Sequence, residues 1–175
     1  MRIPKLQSNQ YSWFIRPFLW LLARNQNTTL KPAQILGRRP KLFTAIFLLY
    51  RTINRKSSPI QPYIHALLSV RVAQLNQCAF TIEHDSKILK NLKERLNKEK
   101  LLDWQNCEDF KPQECAVLAY TDAITNTALH VTDRHMDQLR QYYNDDEIIE
   151  LTTIIVFQNM TTKFNTAFDV CRKTL

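Results

Sequence analysis

The stretch "IHALLSVRVAQLNQCAFTIEHDS", residues 64–86, carries the strongest structural signal in this 175-residue chain. Its apolar residues recur at three- and four-residue spacing, which predicts an amphipathic helix. They are Ile64, Leu67, Leu68, Val72 and Leu75. A second helix is predicted from about Cys78 to Asn97, with Cys78 and His84 close to its start.

Helix signals of the same kind occur on both sides of this stretch. Gly37 can close a short helical turn, and Pro40 and Pro112 suit the first turns of the helices that follow them. Thr132 and Asn144 are natural helix N-caps. No convincing strand alternation is present, so the predicted fold is all-α, a helical bundle.

Other elements are less sharply marked. We expect Ser57 or Ser58 to cap the helix that contains residue 64, and residues 101–111 to form a loop. The run "YSWFIRPFLWLLAR", residues 11–24, contains Arg16 and Pro17 and is shorter than the roughly 20 apolar residues that cross a bilayer. It predicts an amphipathic helix that packs on the body or on a neighbouring subunit, with membrane-surface binding as the alternative.

Composition excludes some function classes. Gly37 is the only glycine, so Gly-rich phosphate cradles and dinucleotide fingerprints cannot be built. The four cysteines, at positions 78, 107, 115 and 171, lack the paired spacing of a zinc site, and we expect neither a metal nor another cofactor. With no secretory signal ahead of them, a reducing cytoplasmic location is the simplest interpretation.

Charge is distributed unevenly along the chain. Twelve Lys and Arg and no acidic residue precede Glu83, whereas the remainder has twelve basic and sixteen acidic residues. The two parts therefore carry +12 and −4. This asymmetry indicates either an anionic partner, such as nucleic acid or an anionic membrane surface, or pairing between subunits, and a solvated basic surface is the simpler explanation.

Two blocks of sequence resemble the carboxymuconolactone decarboxylase family, which includes the alkyl hydroperoxidase D-like enzymes. They are "SVRVAQLNQCAFTIEH", residues 69–84, and the segment from "ECAVLAYTDAITNT" through "EIIELTTIIVFQNMTTKFNTAFDV", residues 114–170. The resemblance covers roughly residues 35–170. It implies a single domain spanning residues 1–175, in which residues 1–34 form an N-terminal extension of the core.

Family members of the hydroperoxidase type carry C-x-x-C at the start of the motif helix. By this resemblance the first cysteine is Cys78, the second position is Thr81, and the family's histidine falls on His84 or, in a longer-spaced variant, on Asp85. The glutamate that many redox members carry twelve residues before the first cysteine is replaced by Ala66, beside His65. Half of the redox pair is therefore missing.

Helix geometry adds expectations for these side chains. At 100° per residue, Asp85 lies nearly on the face of Cys78, where its charge opposes thiolate formation, and His84 lies about 120° away. His84 comes three residues after Thr81 and could hydrogen-bond its hydroxyl. Without the second cysteine, no disulfide can form inside the motif.

The resemblance leaves three functions open. The first is a thiol peroxidase in which Cys78 attacks a hydroperoxide, His84 assists, and an external thiol, Cys107 or Cys115 resolves the sulfenic acid. The second is a catalytically silent family member that binds a small ligand or an anionic partner. The third, a lactone decarboxylase or isomerase using His84, lacks a second titratable group. In each case the resemblance implies a homo-oligomer.

Overall fold

The computed structural model describes residues 2–24, 30–93 and 97–170, and within these ranges it contains only helices, turns and irregular segments. The predicted all-α fold is therefore confirmed. The α-helices are α1 (Arg16–Arg24), α2 (Leu30–Leu36), α3 (Pro40–Ile53), α4 (Pro62–Leu75), α5 (Ala79–Leu92), α6 (Lys98–Leu102), α7 (Pro112–Thr125), α8 (Asp133–Arg140) and α9 (Asp145–Ala167). Single 3-10 turns lie at Ser8–Gln10 and Trp104–Asn106. None of the helices in the described ranges is long and apolar enough to cross a membrane.

The chain divides into two compact units. Unit 1 comprises Met1–Lys56 and Ala167–Leu175, and unit 2 comprises Ser57–Thr166. The boundary between residues 34 and 35 that the resemblance implies falls inside α2 of unit 1. A single domain spanning the whole chain remains a prediction.

Unit 1 is built around a small aromatic core between α1 and α3. Phe18 packs edge-on against Phe43 and Phe47, with ring centroids 5.3 and 4.4 Å away. Ile15 and Leu19 are buried beside them. The predicted N-terminal amphipathic helix is thus present as α1, and its inner face contributes to the core of unit 1.

Gly37 closes α2 where there is no room for a side chain. Its N–H donates to the carbonyl of Ala33 at 2.8 Å. A Cβ at this position would lie 3.0 Å from that carbonyl oxygen and 3.2 Å from the ring of Tyr11. The Tyr11 hydroxyl in turn donates to the carbonyl of Gln34, which holds the N-terminal segment against α2.

Helix α4 lies at the centre of unit 2, where it contacts α5, α6 and α7. Its buried residues are Ile64, Ala66, Leu67, Leu68, Ser69, Val70, Val72 and Ala73, which occupy more than one face. The prediction of an amphipathic α4 with one apolar stripe was therefore too narrow. A helix covered on several sides needs apolar or small residues all around rather than on a single face.

A buried ion pair fixes α4 to α7. The Arg71 guanidinium donates from Nε and Nη2 to the two carboxylate oxygens of Asp122, at 2.6 and 2.7 Å. The third donor of Arg71 reaches the carbonyl of Leu101, and the indole N–H of Trp104 donates to Asp122 at 3.1 Å. Because both charges are hydrogen-bonded on several sides, the cost of burying them is offset.

The helix caps follow the sequence in most places. Pro40 and Pro112 occupy first turns, and Thr132 precedes α8, as predicted. Asn144 accepts from the N–H of Glu147 at 2.9 Å, which confirms it as the N-cap of α9. The prediction of a serine cap for α4 was wrong. Gln61 precedes α4, and the hydroxyl of Ser58 bonds elsewhere.

Two predicted boundaries were also wrong. Helix α5 ends at Leu92 instead of continuing to Asn97, because Lys93 adopts an extended conformation. The predicted loop 101–111 contains the end of α6 and a 3-10 turn. The Asn97 side chain accepts from the N–H of Lys100 and so begins α6, whose Leu101 is completely buried.

Candidate active site

A tight turn between α4 and α5 places Cys78 at the start of α5. Gln77 has a positive φ of 52°, which reverses the chain, and the N–H of Cys78 then donates to the carbonyl of Ala73 at 2.8 Å. The side-chain amide of Asn76 donates to Asn159 and Thr162 on α9, at 2.8 and 2.9 Å. The turn is thus held by backbone and side-chain hydrogen bonds, and Cys78 becomes the N-cap residue of α5.

Cys78 and Thr81 form the centre of the site. The Cys78 Sγ lies 3.2 Å from the Thr81 Oγ1, and the two residues are only 3% and 8% exposed. Residues three apart on the first turn of a helix face the same way, so Thr81 occupies the place that the second cysteine of a C-x-x-C pair would take. The first turn also presents the positive end of the helix dipole, which favours an anion.

His84 and Asp85 form a pair next to this turn. The His84 Nδ1 lies 2.6 Å from the Asp85 Oδ1, with the two side chains 31% and 16% exposed. The hydrogen bond to Asp85 raises the pKa of His84 above its ordinary 6.5, against a smaller opposing effect of burial. The hydrogen bond from His84 to Thr81 that their spacing allows is not formed among the described residues, because the Thr81 hydroxyl faces Cys78.

His65 on α4 is a further component of the site. The carboxylate of Asp85 acts on it electrostatically, so Asp85 interacts with an imidazole on each of the two helices. Burial lowers the pKa of His65 below 6.5, and the charges of Asp85 and Glu150 oppose part of that shift. Its Nε2 is buried without a hydrogen-bond partner among the described residues. His65 is therefore a neutral imidazole with an unoccupied ring nitrogen at neutral pH.

The sequence drew attention to His65 only as the neighbour of Ala66. The signal that marks it was present, because a histidine followed by the buried run 66–70 of α4 must be enclosed by other helices. Which helix would face it was not readable. Glu150 on α9 supplies a second nearby carboxylate and accepts a hydrogen bond from the hydroxyl of Ser58.

The remaining cysteines and histidines lie in other surroundings. Cys107 and Cys115 are partly exposed, and their thiols interact with Asp109 and with the carbonyl of Phe110, at 3.6 and 3.8 Å. Burial raises the pKa of Cys115, with a further contribution from Glu114. Position 171 lies outside the described residues. Among the residues described, no group of three or more His, Cys, Asp or Glu side chains could hold a metal ion.

Comparison with known proteins agrees with this architecture. No family model matches the chain. A peroxidase-related protein from Ralstonia eutropha, described as an alkylhydroperoxidase AhpD core, superposes with a TM-score of 0.83 over 99% of this chain and 92% of its own, at 16% identity. The debrominase Bmp8 superposes with a TM-score of 0.73 over 94% of this chain and 88% of its own, at 22% identity. The all-helical fold is therefore that of the AhpD-like proteins.

A sequence relative is the uncharacterized protein YnjA of Escherichia coli. It is 31% identical over 159 residues, which are 89% of this chain and 86% of YnjA. The chain belongs to the same family as YnjA, and the resemblance to the AhpD-like carboxymuconolactone decarboxylase family is confirmed.

Proposed function

We propose that this protein is a one-cysteine thiol peroxidase that reduces small hydroperoxides at the expense of an external thiol. The observation that carries the proposal is the Cys78 thiol at the start of α5 with the Thr81 hydroxyl 3.2 Å away. A thiolate at a helix N-terminus is a nucleophile, and a neighbouring hydroxyl can donate a hydrogen bond to it without competing for oxidation. The AhpD-like fold supports this assignment.

The proposed reaction has two stages. The Cys78 thiolate attacks the terminal oxygen of the hydroperoxide, an S–O bond forms as the O–O bond breaks, and the alkoxide takes up a proton and leaves as an alcohol. Cys78 is thereby oxidised to a sulfenic acid. One external thiol then displaces water to give a mixed disulfide, and a second external thiol releases Cys78. One hydroperoxide and two thiols give one alcohol, one water and one disulfide.

The imidazoles of the site supply the proton transfers in this proposal. Neutral His65, with its unoccupied Nε2, accepts the proton that Cys78 loses. His84, whose pKa is raised by Asp85, returns a proton to the leaving alkoxide. Asp85 interacts with both rings and so holds the two histidines in different protonation states.

The surroundings of Cys78 restrict substrate and location. Because Cys78 is only 3% exposed, we expect small hydroperoxides to react faster than bulky ones. Thr81 cannot close a disulfide, so reduction depends on thiols from outside the motif. A reducing compartment supplies such thiols, which is consistent with a cytoplasmic protein.

Peroxide consumption with a monothiol reductant tests the proposal. We expect Cys78→Ser to lower the rate by at least about a hundredfold, because the nucleophile is removed. Cys107→Ser and Cys115→Ser are the matched controls and should retain the rate. A sulfenic-acid reagent should label Cys78 only after peroxide treatment. Turnover that survives Cys78→Ser would place the chemistry outside this site.

The second candidate is a catalytically silent family member that binds a small ligand. It is favoured by Thr81 and Ala66, which stand where redox members carry a cysteine and a glutamate. Bmp8, solved with 2,3,4-tribromopyrrole, is an example of a debrominase with this fold. Absence of both turnover and peroxide-dependent labelling at Cys78 would favour this second function.

A further inference from the structure

Helix α9 is apolar on the side that faces away from its own unit. Ile149, Val156 and Met160 are 63%, 53% and 41% exposed, and the exposed Thr153 lies between them. The opposite side is buried and contributes Ile148, Leu151, Ile154, Ile155 and Phe157 to unit 2. A helix whose inner side is already packed does not need a second apolar face for its own fold.

The exposed residues follow the spacing of a helix-pairing seam. Residues 149, 153, 156 and 160 are separated by four, three and four positions, which is the a/d pattern of two helices packed side by side. The same pattern continues to Asp146 at one end and Lys163 at the other, and both residues are exposed. The seam, residues 146–163, is about 25 Å long at 1.5 Å per residue.

The charges at the two ends of the seam decide what can cover it. Asp146 and Lys163 have no ion-pair partner within the described part of the chain. In a parallel pair of α9 helices, each charge would face its own copy and be repelled. In an antiparallel pair that sets Ile149 against Met160 of the other copy, the same register sets Asp146 against Lys163, and Thr153 against Val156. The sequence of α9 is therefore complementary to itself in one orientation.

We propose that α9 forms a two-fold symmetric, antiparallel interface with α9 of a second copy of this chain. The symmetry axis passes between Thr153 and Val156, and the two Asp146–Lys163 pairs close the ends of the interface. An isologous contact of this kind is self-limiting and gives a dimer. The proposal does not depend on peroxidase activity, because it rests on the outer face of α9 and not on Cys78.

Exchanging the terminal charges tests orientation and register together. Sedimentation equilibrium of the full chain at several concentrations should show a dimer. Asp146→Lys and Lys163→Asp should each raise the dissociation constant roughly tenfold, because each creates two like-charge contacts per dimer. The double variant Asp146→Lys with Lys163→Asp should return it to near the natural value.

Two further variants separate this interface from general charge effects. Asp133→Lys makes the same charge change in the first turn of α8 and should leave the dissociation constant unchanged. Val156→Asp introduces a charge at the centre of the seam and should weaken the dimer by at least a hundredfold. A monomeric natural chain, or a dimer indifferent to Asp146→Lys and Val156→Asp, would overturn the proposal. Failure of the double variant to recover association would overturn the antiparallel register.

Discussion

Units 1 and 2 place their polar and apolar groups in opposite ways. Residues 1–56 of unit 1 carry eleven basic residues and no acidic one, yet this unit also exposes large apolar side chains. Trp13 and Trp20 are 81% and 61% exposed. Unit 2 instead buries charged and polar side chains, including Asp122 and Thr81, among its helices.

This difference indicates where the chemistry of the chain is located. A buried polar group must be hydrogen-bonded or it destabilises the fold, so each one in unit 2 is held in a defined position. Arg71 and Asp122 hold α4, and Asn76 holds the turn before Cys78. Unit 1 has an aromatic core with few such groups. Its function is therefore to be sought on its surface, and that of unit 2 in its interior.

The largest expected effect concerns the buried ion pair. Asp122→Ala leaves Arg71 enclosed without its partner, and we expect the free energy of unfolding to fall by about 3–5 kcal/mol. Urea unfolding followed by circular dichroism measures the change. Glu83→Ala, which breaks the exposed pair with Lys87, is the control and should have little effect. Equal losses from the two variants would contradict the contrast between the units.

The core of unit 1 gives the next largest effect. Phe43→Ala removes a ring that contacts Phe18 and Phe47, and we expect a loss of about 3 kcal/mol in the free energy of unfolding. Peroxide turnover per folded molecule should not change, because the candidate site lies in unit 2. A loss of turnover in a fully folded variant would show that the site depends on unit 1.

Position 81 sharpens the comparison at the site itself. Thr81→Val removes the hydroxyl but keeps the shape, and we expect the rate of peroxide reduction to fall roughly tenfold, as for the loss of one hydrogen bond to a charged group. Thr81→Ser should retain the rate. If the two variants behave alike, the hydroxyl has no part in the reaction.

Thr81→Cys tests the same position in a different way. Because Sγ and Oγ1 are already 3.2 Å apart, a disulfide should form between residues 78 and 81 on oxidation, detected by mass spectrometry as the loss of two hydrogens. Turnover with a dithiol should rise only in part, since Ala66 supplies no acid. Failure to form the bridge would mean that the first turn of α5 is not competent for a C-x-x-C disulfide.

The smallest expected effects are the opposite pH responses of the two histidines. The pKa of His84 is raised, so its pair with Asp85 stabilises the fold below about pH 6.5 and that contribution is lost as pH rises through the folded-state pKa. The pKa of His65 is lowered, so the fold loses stability as pH falls below 6.5, where the unfolded chain takes up the proton first.

Urea midpoints between about pH 5 and pH 8 distinguish these contributions. Asp85→Asn should remove the loss on the alkaline side, and His65→Gln should remove the loss on the acid side. A natural protein and a His65→Gln variant with the same acid response would show that His65 is not enclosed as described.

Local structure could be predicted from the sequence to a large extent. Pro40, Pro112, Thr132 and Asn144 each mark the start of a helix through their own backbone or side-chain chemistry. The all-α fold follows from the 3.6-residue periodicity, and Cys78 lies at the start of α5 as predicted. These features depend on neighbours within about four residues, which a sequence displays directly.

Contacts between helices were decided by the tertiary structure alone. Ser58 looks like a cap for α4 but donates to Glu150, 92 residues away. His65 is enclosed because Asp85 and Glu150 approach it from two other helices, and α4 is buried on several sides because α5, α6 and α7 surround it. Periodicity shows which residues turn inward on one helix. It does not show which side chains of other helices they meet, because that depends on how all the helices pack together.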